Sequence, residues 1–407
     1  MTEPLQAPRP LHVAMYVAAW PLGVHSSGIL TYADSLRREL HRLGHRLSIF
    51  AGRLDEAGPG LYRVELTWRD RWLSRLRRWS GDTSPAVFRF GSVIARRLRA
   101  VHSVDPIDIV EIEESFGFAG QVAHSLPIPV VVKLHGPAFL TTVDEELNTP
   151  FAQMRIRREG EALSQVAAIM APARSTLDQA LAHYHLTPTI AARVNNPLSA
   201  DPETPLWTLA ACDPQTILFV GRFDRAKGAD AMLLAFKSLL GTRPELKLLF
   251  VGPDNGLQLS DGRTAQFAEY LRETFAPAQA QQVQYLGRLT PAQISVLRTR
   301  ALVTVVSSRW ENQSYATLEA MLQACPVVCV DAGGQRELVT HGISGLLARK
   351  DDVPDLCAQI EHILNHPEQA STMGIEARRY VLANHNPTDV AQATLAIYRQ
   401  AMSTYAR

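Results

Sequence analysis

The chain has 407 residues, too many for one ordinary core, so two domains of roughly 200 residues each are expected. Hydrophobic residues make up 46% and charged residues 20%, and a net charge of +1 gives no field that would draw the chain to nucleic acid or acidic polymers. Cys212, Cys325, Cys329 and Cys357 form no Cys-x-x-Cys pair and no metal-ligand spacing with histidine, and no window of about 18 apolar residues occurs, so neither a metal centre nor a membrane span is expected.

The first apolar run, Leu11 to Ala18, predicts a strand, followed by a loop through Pro21, Gly23 and Gly28. Leu30, Ala33, Leu36, Leu40 and Leu43 then recur at helical spacing and stop at Gly44. Leu47 to Ala51 is the next strand. Beyond it, Trp68, Trp72, Leu76 and Trp79 share a helical face, with Arg71, Arg75 and Arg78 on another. Two readings of this segment stand: tryptophans packed on their own domain, or a basic helix in peripheral contact with a membrane through residues 68–79. Ile107 to Ile112 and Pro129 to Leu134 predict further strands, before a loop rich in Pro, Asn, Asp and Ser from Asn195 to Pro214.

A second series follows. Thr216 to Val220 is a strand and Asp230 to Leu240 a helix ending at Gly241; Leu246 to Val251, Val283 to Leu286, Leu302 to Val306, Val327 to Val330 and Gly345 to Ala348 continue the strands. Such alternation predicts parallel sheets with right-handed crossovers, and nearly continuous apolar strands predict helices on both faces. The expected fold is α/β, with two doubly wound Rossmann-like domains facing across a cleft. The first covers 1–197, a linker 198–213 and the second 214–385; a C-terminal helix over 386–407 has the option of packing back on the first domain. The Pro-rich start, Met1 to Pro10, carries no apolar signal core, so the cytoplasm is the expected compartment.

Candidate chemistry lies in two loops of the second half. Gly221-Arg222-Phe223-Asp224-Arg225-Ala226-Lys227-Gly228 sits between a strand and a helix, where free N–H groups point at ligands. Arg222 and Lys227 add two cations suited to a diphosphate, although solvated loop cations are common on any surface. In the second loop, Ser307 to Ser314 follows a strand and carries Glu311, while Glu319 lies on the next helix. Eight helical residues turn the two about 80° out of alignment, so they suit two parts of one extended ligand better than one atom. A carboxylate accepts from both hydroxyls of a vicinal diol, and an exposed acidic pair is the plainer alternative. No Gly-x-Gly-x-x-Gly follows a strand and no Gly-Lys-Ser/Thr closes a phosphate loop, which disfavours dehydrogenases and P-loop NTPases.

Taken together, these residues resemble the retaining GT-B glycosyltransferases of family 4. The resemblance covers nearly the whole chain and is most specific from Thr216 to Leu347. It rests on the Gly-Arg-Phe…Lys-Gly loop, on Glu311 and Glu319 as a Glu-x7-Glu motif, and on Pro326-Val327-Val328, Gly333-Gly334, Glu337 and Gly345-Leu346-Leu347 in order. It implies a cytoplasmic enzyme that moves a sugar from a nucleoside-diphosphate donor, uridine favoured and guanosine open, with retention and without a metal or other cofactor. The acceptor is unknown: a glycan, a lipid-linked molecule or a small molecule. Arg222 and Lys227 would hold the diphosphate, Glu319 the ribose and Glu311 the sugar hydroxyls, beside Gly221 and the backbone of Asn312, Gln313, Ser314 and Tyr315. His135 would stand near the reacting sugar and Gly28 would admit phosphate or sugar closely. Ser27, Glu113 and Glu114 would serve the acceptor side. Departures are Ser27 for a glycine, Ser307 for a proline, and Ala324 for a helix-ending glycine, which implies a different cap there. A sugar-nucleotide epimerase and a catalytically silent sugar-nucleotide-binding partner remain as rivals.

Overall fold

The computed structural model describes residues 9–25, 27–68, 70, 72, 85–142, 144–259 and 261–405. Ser26 and most of the segment expected as a helix over 68–79, including Arg71, Arg75, Leu76, Arg78 and Trp79, lie outside these residues. The chain divides by its internal contacts into two compact units. Unit 1 comprises Met1–Pro172, Thr176–Pro197 and Pro387–Arg407; unit 2 comprises Ala173–Ser175 and Leu198–Asn386.

Unit 1 is built on seven parallel strands: β1 His12–Trp20, β2 Arg46–Leu54, β3 Leu61–Arg63, β4 Ile109–Glu113, β5 Val130–Lys133, β6 Ala168–Ala171 and β7 Ala191–Arg193. Their order is β3-β2-β1-β4-β5-β6-β7, so the winding direction reverses between β1 and β4. Unit 2 has β8 Asp213–Val220, β9 Lys247–Val251, β12 Val283–Gly287, β13 Ala301–Val306, β14 Val327–Val330 and β15 Leu346–Ala348. A separate antiparallel ribbon joins β10 Leu257–Gln258 to β11 Thr264–Ala265. The order β12-β9-β8-β13-β14-β15 reverses between β8 and β13. Open α/β sheets bind ligands at such reversals, outside the carboxyl ends of the strands.

Six helices matter for the site: α1 Gly28–Arg42, α2 Pro150–Leu163, α3 Ala229–Leu240, α4 Pro291–Arg300, α5 Tyr315–Leu322 and α6 Pro387–Tyr405. Local chemistry fixes their ends. Ser27 caps α1 by accepting the Leu30 N–H, and Gly44 leaves it with φ +83°. Thr290 and Gln293 form a capping box around Pro291 at the start of α4. The end of α5 corrects an expectation. Ala324 itself adopts φ 59°, and the N–H groups of Ala324 and Cys325 reach the carbonyls of Met321 and Ala320 at 3.0 Å each. The cap is therefore the left-handed one that glycine favours, made by alanine at a strain of about 1 kcal/mol. Cys325 and Cys329 are fully buried, and burial pushes their thiols up to about 11 and about 12.

The interior of unit 1 holds an unusual concentration of charge. Lys133 and Glu111 are buried on neighbouring strands; the lysine donates to the Val194 carbonyl, and Tyr398 of α6 donates to Glu111 at 2.6 Å. Nearby, Glu113, Glu114 and Glu159 are buried together, with Arg155 donating to Glu159 at 2.8 Å. Burial and the neighbouring Glu114 carboxylate push Glu113 up to about 7. Above the ordinary carboxylate range the folded state therefore holds a proton that the unfolded chain has lost. Stability from this group is present at acid pH and is lost as the pH rises through about 7. Glu113→Gln should match the parent in urea unfolding at pH 4 and exceed it by up to about 3 kcal/mol at pH 8. The same difference at both pH values would remove Glu113 as the source.

Candidate active site

In unit 2 the reversal between β8 and β13 places their two following loops side by side. After β8, the Gly221 N–H bonds the Val251 carbonyl and Phe223 drops into the core against Phe267, which pins the middle of the loop. Asp224 braces the loop: one oxygen accepts the backbone N–H of Lys227 at 2.9 Å and the other pairs with Arg222 Nε at 2.5 Å. Gly228 has φ +64° and caps α3. A Cβ there would collide with the Ser307 carbonyl, so only glycine admits the second loop this closely.

That second loop is stitched to the first at several points. Ser307 Oγ donates to the Gly228 carbonyl at 2.8 Å, and the Arg309 N–H bonds the Ala226 carbonyl at 3.0 Å. The Arg309 fork holds both oxygens of Asp230 at 2.8 Å each. Lys227 Nζ then meets Glu311 Oε1 at 2.5 Å. On the far side, the Glu311 carbonyl accepts the Gly334 N–H at 2.7 Å, with Gly333 at φ +62° packed against it. Asn312, Gln313 and Ser314 are buried as the chain enters α5, and Ser314 caps that helix. The positive dipole end of α5 thus opens at the same sheet edge as Lys227.

The structure brings Arg222, Lys227 and Glu311 into one connected group, through Asp224 and the Lys227–Glu311 pair. Glu319 is held separately. Its Oε2 accepts from Arg298 of α4 at 2.6 Å, and its side chain remains 31% exposed. Arg298 is a residue that motif reasoning misses, as are Asp224, Arg309 and Asp230.

In unit 1, Ser27 and Gly28 open α1 and are exposed. Glu113 and Glu114, expected on the acceptor side, lie in the interior. The Glu114 carboxylate accepts the backbone N–H of His135 at 2.9 Å and of Gly136 at 2.6 Å, and Glu159 accepts that of Ala138 at 2.7 Å. His135 follows β5, its ring 5.2 Å from that of Tyr32 in an edge arrangement. Burial, then the Lys133 charge, push its pKa down to about 3, so the imidazole is neutral at physiological pH. Such a ring donates or accepts one hydrogen bond at each nitrogen and carries no charge to transfer.

Two family profiles match adjoining parts of the chain: Glycosyltransferase Family 4 over residues 26–201 and Glycosyl transferases group 1 over residues 208–380. Spore coat protein SA of Bacillus subtilis is 26% identical over 186 residues, 45% of this chain and 48% of that protein, so the chain spans about half the length of this relative. D-inositol 3-phosphate glycosyltransferase of Kribbella flavida is 26% identical over 442 aligned positions that cover 100% of both chains. Among solved structures, sucrose-phosphate synthase of Thermosynechococcus elongatus superposes with a TM-score of 0.76 at 19% identity, covering 97% of this chain and 100% of that one. HepE of Anabaena, in complex with UDP-glucose, superposes with a TM-score of 0.67 at 15% identity, covering 95% and 99%. With two parallel-sheet α/β domains, each matched by its own half of the family, the chain belongs to the GT-B glycosyltransferases of family 4 and group 1.

Proposed function

We propose that the protein moves a sugar from a nucleoside-diphosphate donor to a glycan, lipid-linked or small-molecule acceptor, with retention and without a metal. The observation that carries this reading is the Lys227–Glu311 pair at 2.5 Å. A sugar phosphate presents anionic oxygens beside neutral hydroxyls within a few ångströms, and an ammonium beside a carboxylate complements that junction. HepE, solved with UDP-glucose, supports a uridine donor; a guanosine donor stays open.

In this reading Arg222, Lys227 and the N-terminus of α5 receive the diphosphate, beside Gly221 and the backbone of Asn312, Gln313, Ser314 and Tyr315. Glu311 accepts from the sugar hydroxyls and Glu319 from the ribose. The bond from the anomeric carbon to the phosphate oxygen breaks, and a bond to the acceptor oxygen forms on the same face. The acceptor's proton passes to the departing phosphate oxygen, so no strong protein acid is required. Cations and the helix dipole supply the positive charge that a metal supplies elsewhere. Neutral His135 serves as a hydrogen-bonding group near the reacting sugar, Gly28 admits phosphate or sugar closely, and Ser27 serves the acceptor.

A peripheral membrane contact belongs to the same proposal. Trp68 and Trp72 are 71% and 55% exposed, which supports a surface role over packing on their own domain. Vesicles containing anionic lipid should carry the protein upward on flotation, and Trp68→Ala with Trp72→Ala should weaken this; a parent protein that stays at the bottom rejects the contact.

The catalytic test is a screen of nucleotide sugars, followed by nucleotide release with and without candidate acceptors. Lys227→Ala and Arg222→Ala should each lower kcat about 100-fold or more, as expected for groups that stabilise developing charge on the leaving diphosphate. Full turnover in either variant rejects that assignment.

A further inference from the structure

We infer that Arg298 is a positioning residue: from beneath α5 it fixes the Glu319 carboxylate for the donor's ribose. The inference rests on the function proposed above and adds the residue that makes its ribose contact specific. Arg298 lies on α4, 2% exposed, and Glu319 is the carboxylate bound to it, with Nη2 to Oε2 at 2.6 Å. Its Nη1 donates to Gln323 Oε1 at 3.3 Å, and its Nε has no hydrogen-bond partner.

The second contact shows how the guanidinium is aimed. Gln323 is buried, and its amide donates to the Pro205 carbonyl at 3.0 Å and to the Ser295 carbonyl and hydroxyl at 3.1 and 2.8 Å. The amide orientation is thereby set, and its oxygen faces Arg298. Glu319 on α5 and Gln323 at its C-cap are four residues apart and face the same side, so the planar fork spans both. A buried guanidinium needs its counter-charge, and leaving it unpaired is strongly unfavourable. Glu319 is held in one orientation for that reason, while 31% of its side chain stays exposed. The arginine also cancels the glutamate's charge, which would otherwise repel a nearby diphosphate.

A carboxylate fixed in advance loses little freedom when it takes up a diol, and that gain depends on the ribose hydroxyls. The experiment measures binding of UDP and of 2′,3′-dideoxy-UDP by calorimetry to the full chain and to Glu319→Gln, Arg298→Met and Arg298→Lys; the guanosine pair replaces them if the donor screen selects guanosine. In the parent, removing both hydroxyls should weaken binding tenfold or more. Glu319→Gln should erase most of that preference. Arg298→Met should bring the two affinities within about twofold, with the dideoxy form bound as in the parent. Should Arg298→Met fail to fold, Arg298→Lys decides, because a mobile ammonium lacks the rigid fork whose two Nη atoms reach Glu319 and Gln323, and the preference should again fall.

If Glu319→Gln keeps the parent's preference, the ribose assignment itself fails and the inference with it. If Glu319→Gln loses the preference but the folded Arg298 variant keeps it, or weakens both nucleotides equally, Arg298 is only a core cross-link and the ribose assignment stands.

Discussion

The candidate site of unit 2 depends on one close approach, that of Gly228 to the Ser307 carbonyl. The sheet reverses its winding between β8 and β13, so their loops emerge side by side, but adjacency alone leaves loops a side chain apart. Gly228 removes that gap by having no Cβ and by taking the left-handed conformation. Ser307 Oγ and the Arg309 fork then close the seam. Only after the two backbones touch does Lys227 reach Glu311, and the charge pair suited to a phosphate–sugar junction follows.

Each unit separately uses one device: a polar group is held by a buried charged partner. In unit 2 Arg298 lies under Glu319, and in unit 1 the Glu114 carboxylate holds the backbone N–H groups of His135 and Gly136. Burying such groups is unfavourable unless they are paired, so each arrangement is rigid by necessity. Rigidity of this kind suits a site that must present charge and hydrogen bonds in fixed directions. In unit 1 the arrangement has a consequence for stability, because the buried Glu113, Glu114 and Glu159 lie together, with Arg155 paired to Glu159.

Much of the fold was legible because parallel strands covered on both faces are written as apolar runs. Val327–Val330 coincides with β14, and Leu302 to Val306 lies within β13, which starts one residue earlier. β8 begins at Asp213, three residues before its apolar core, since Asp213 pairs with Ala301 although Asp-Pro resembles a turn. β3, β6 and β7 escape notice because they hold only three or four residues each, too few to show a period. Arg222, Lys227, Glu311 and Glu319 were visible through motif order. Arg298 was not, because arginine on a helix ordinarily signals solvent; its one hint is its place four residues after Ile294, on the stripe that a core-facing helix turns inward. Burial of Glu113 and Glu114 was equally hidden, since two carboxylates at a strand end look the same whether they face a ligand or brace a loop.

The most direct test of the central claim is a calorimetric comparison of UDP and UDP-glucose binding to the parent, Lys227→Met and Glu311→Gln. If the ion pair marks the junction of phosphate and sugar, the lysine change weakens both ligands, whereas the glutamate change weakens only the one that carries the sugar. Equal effects of both changes on both ligands, or no effect of either, would contradict it.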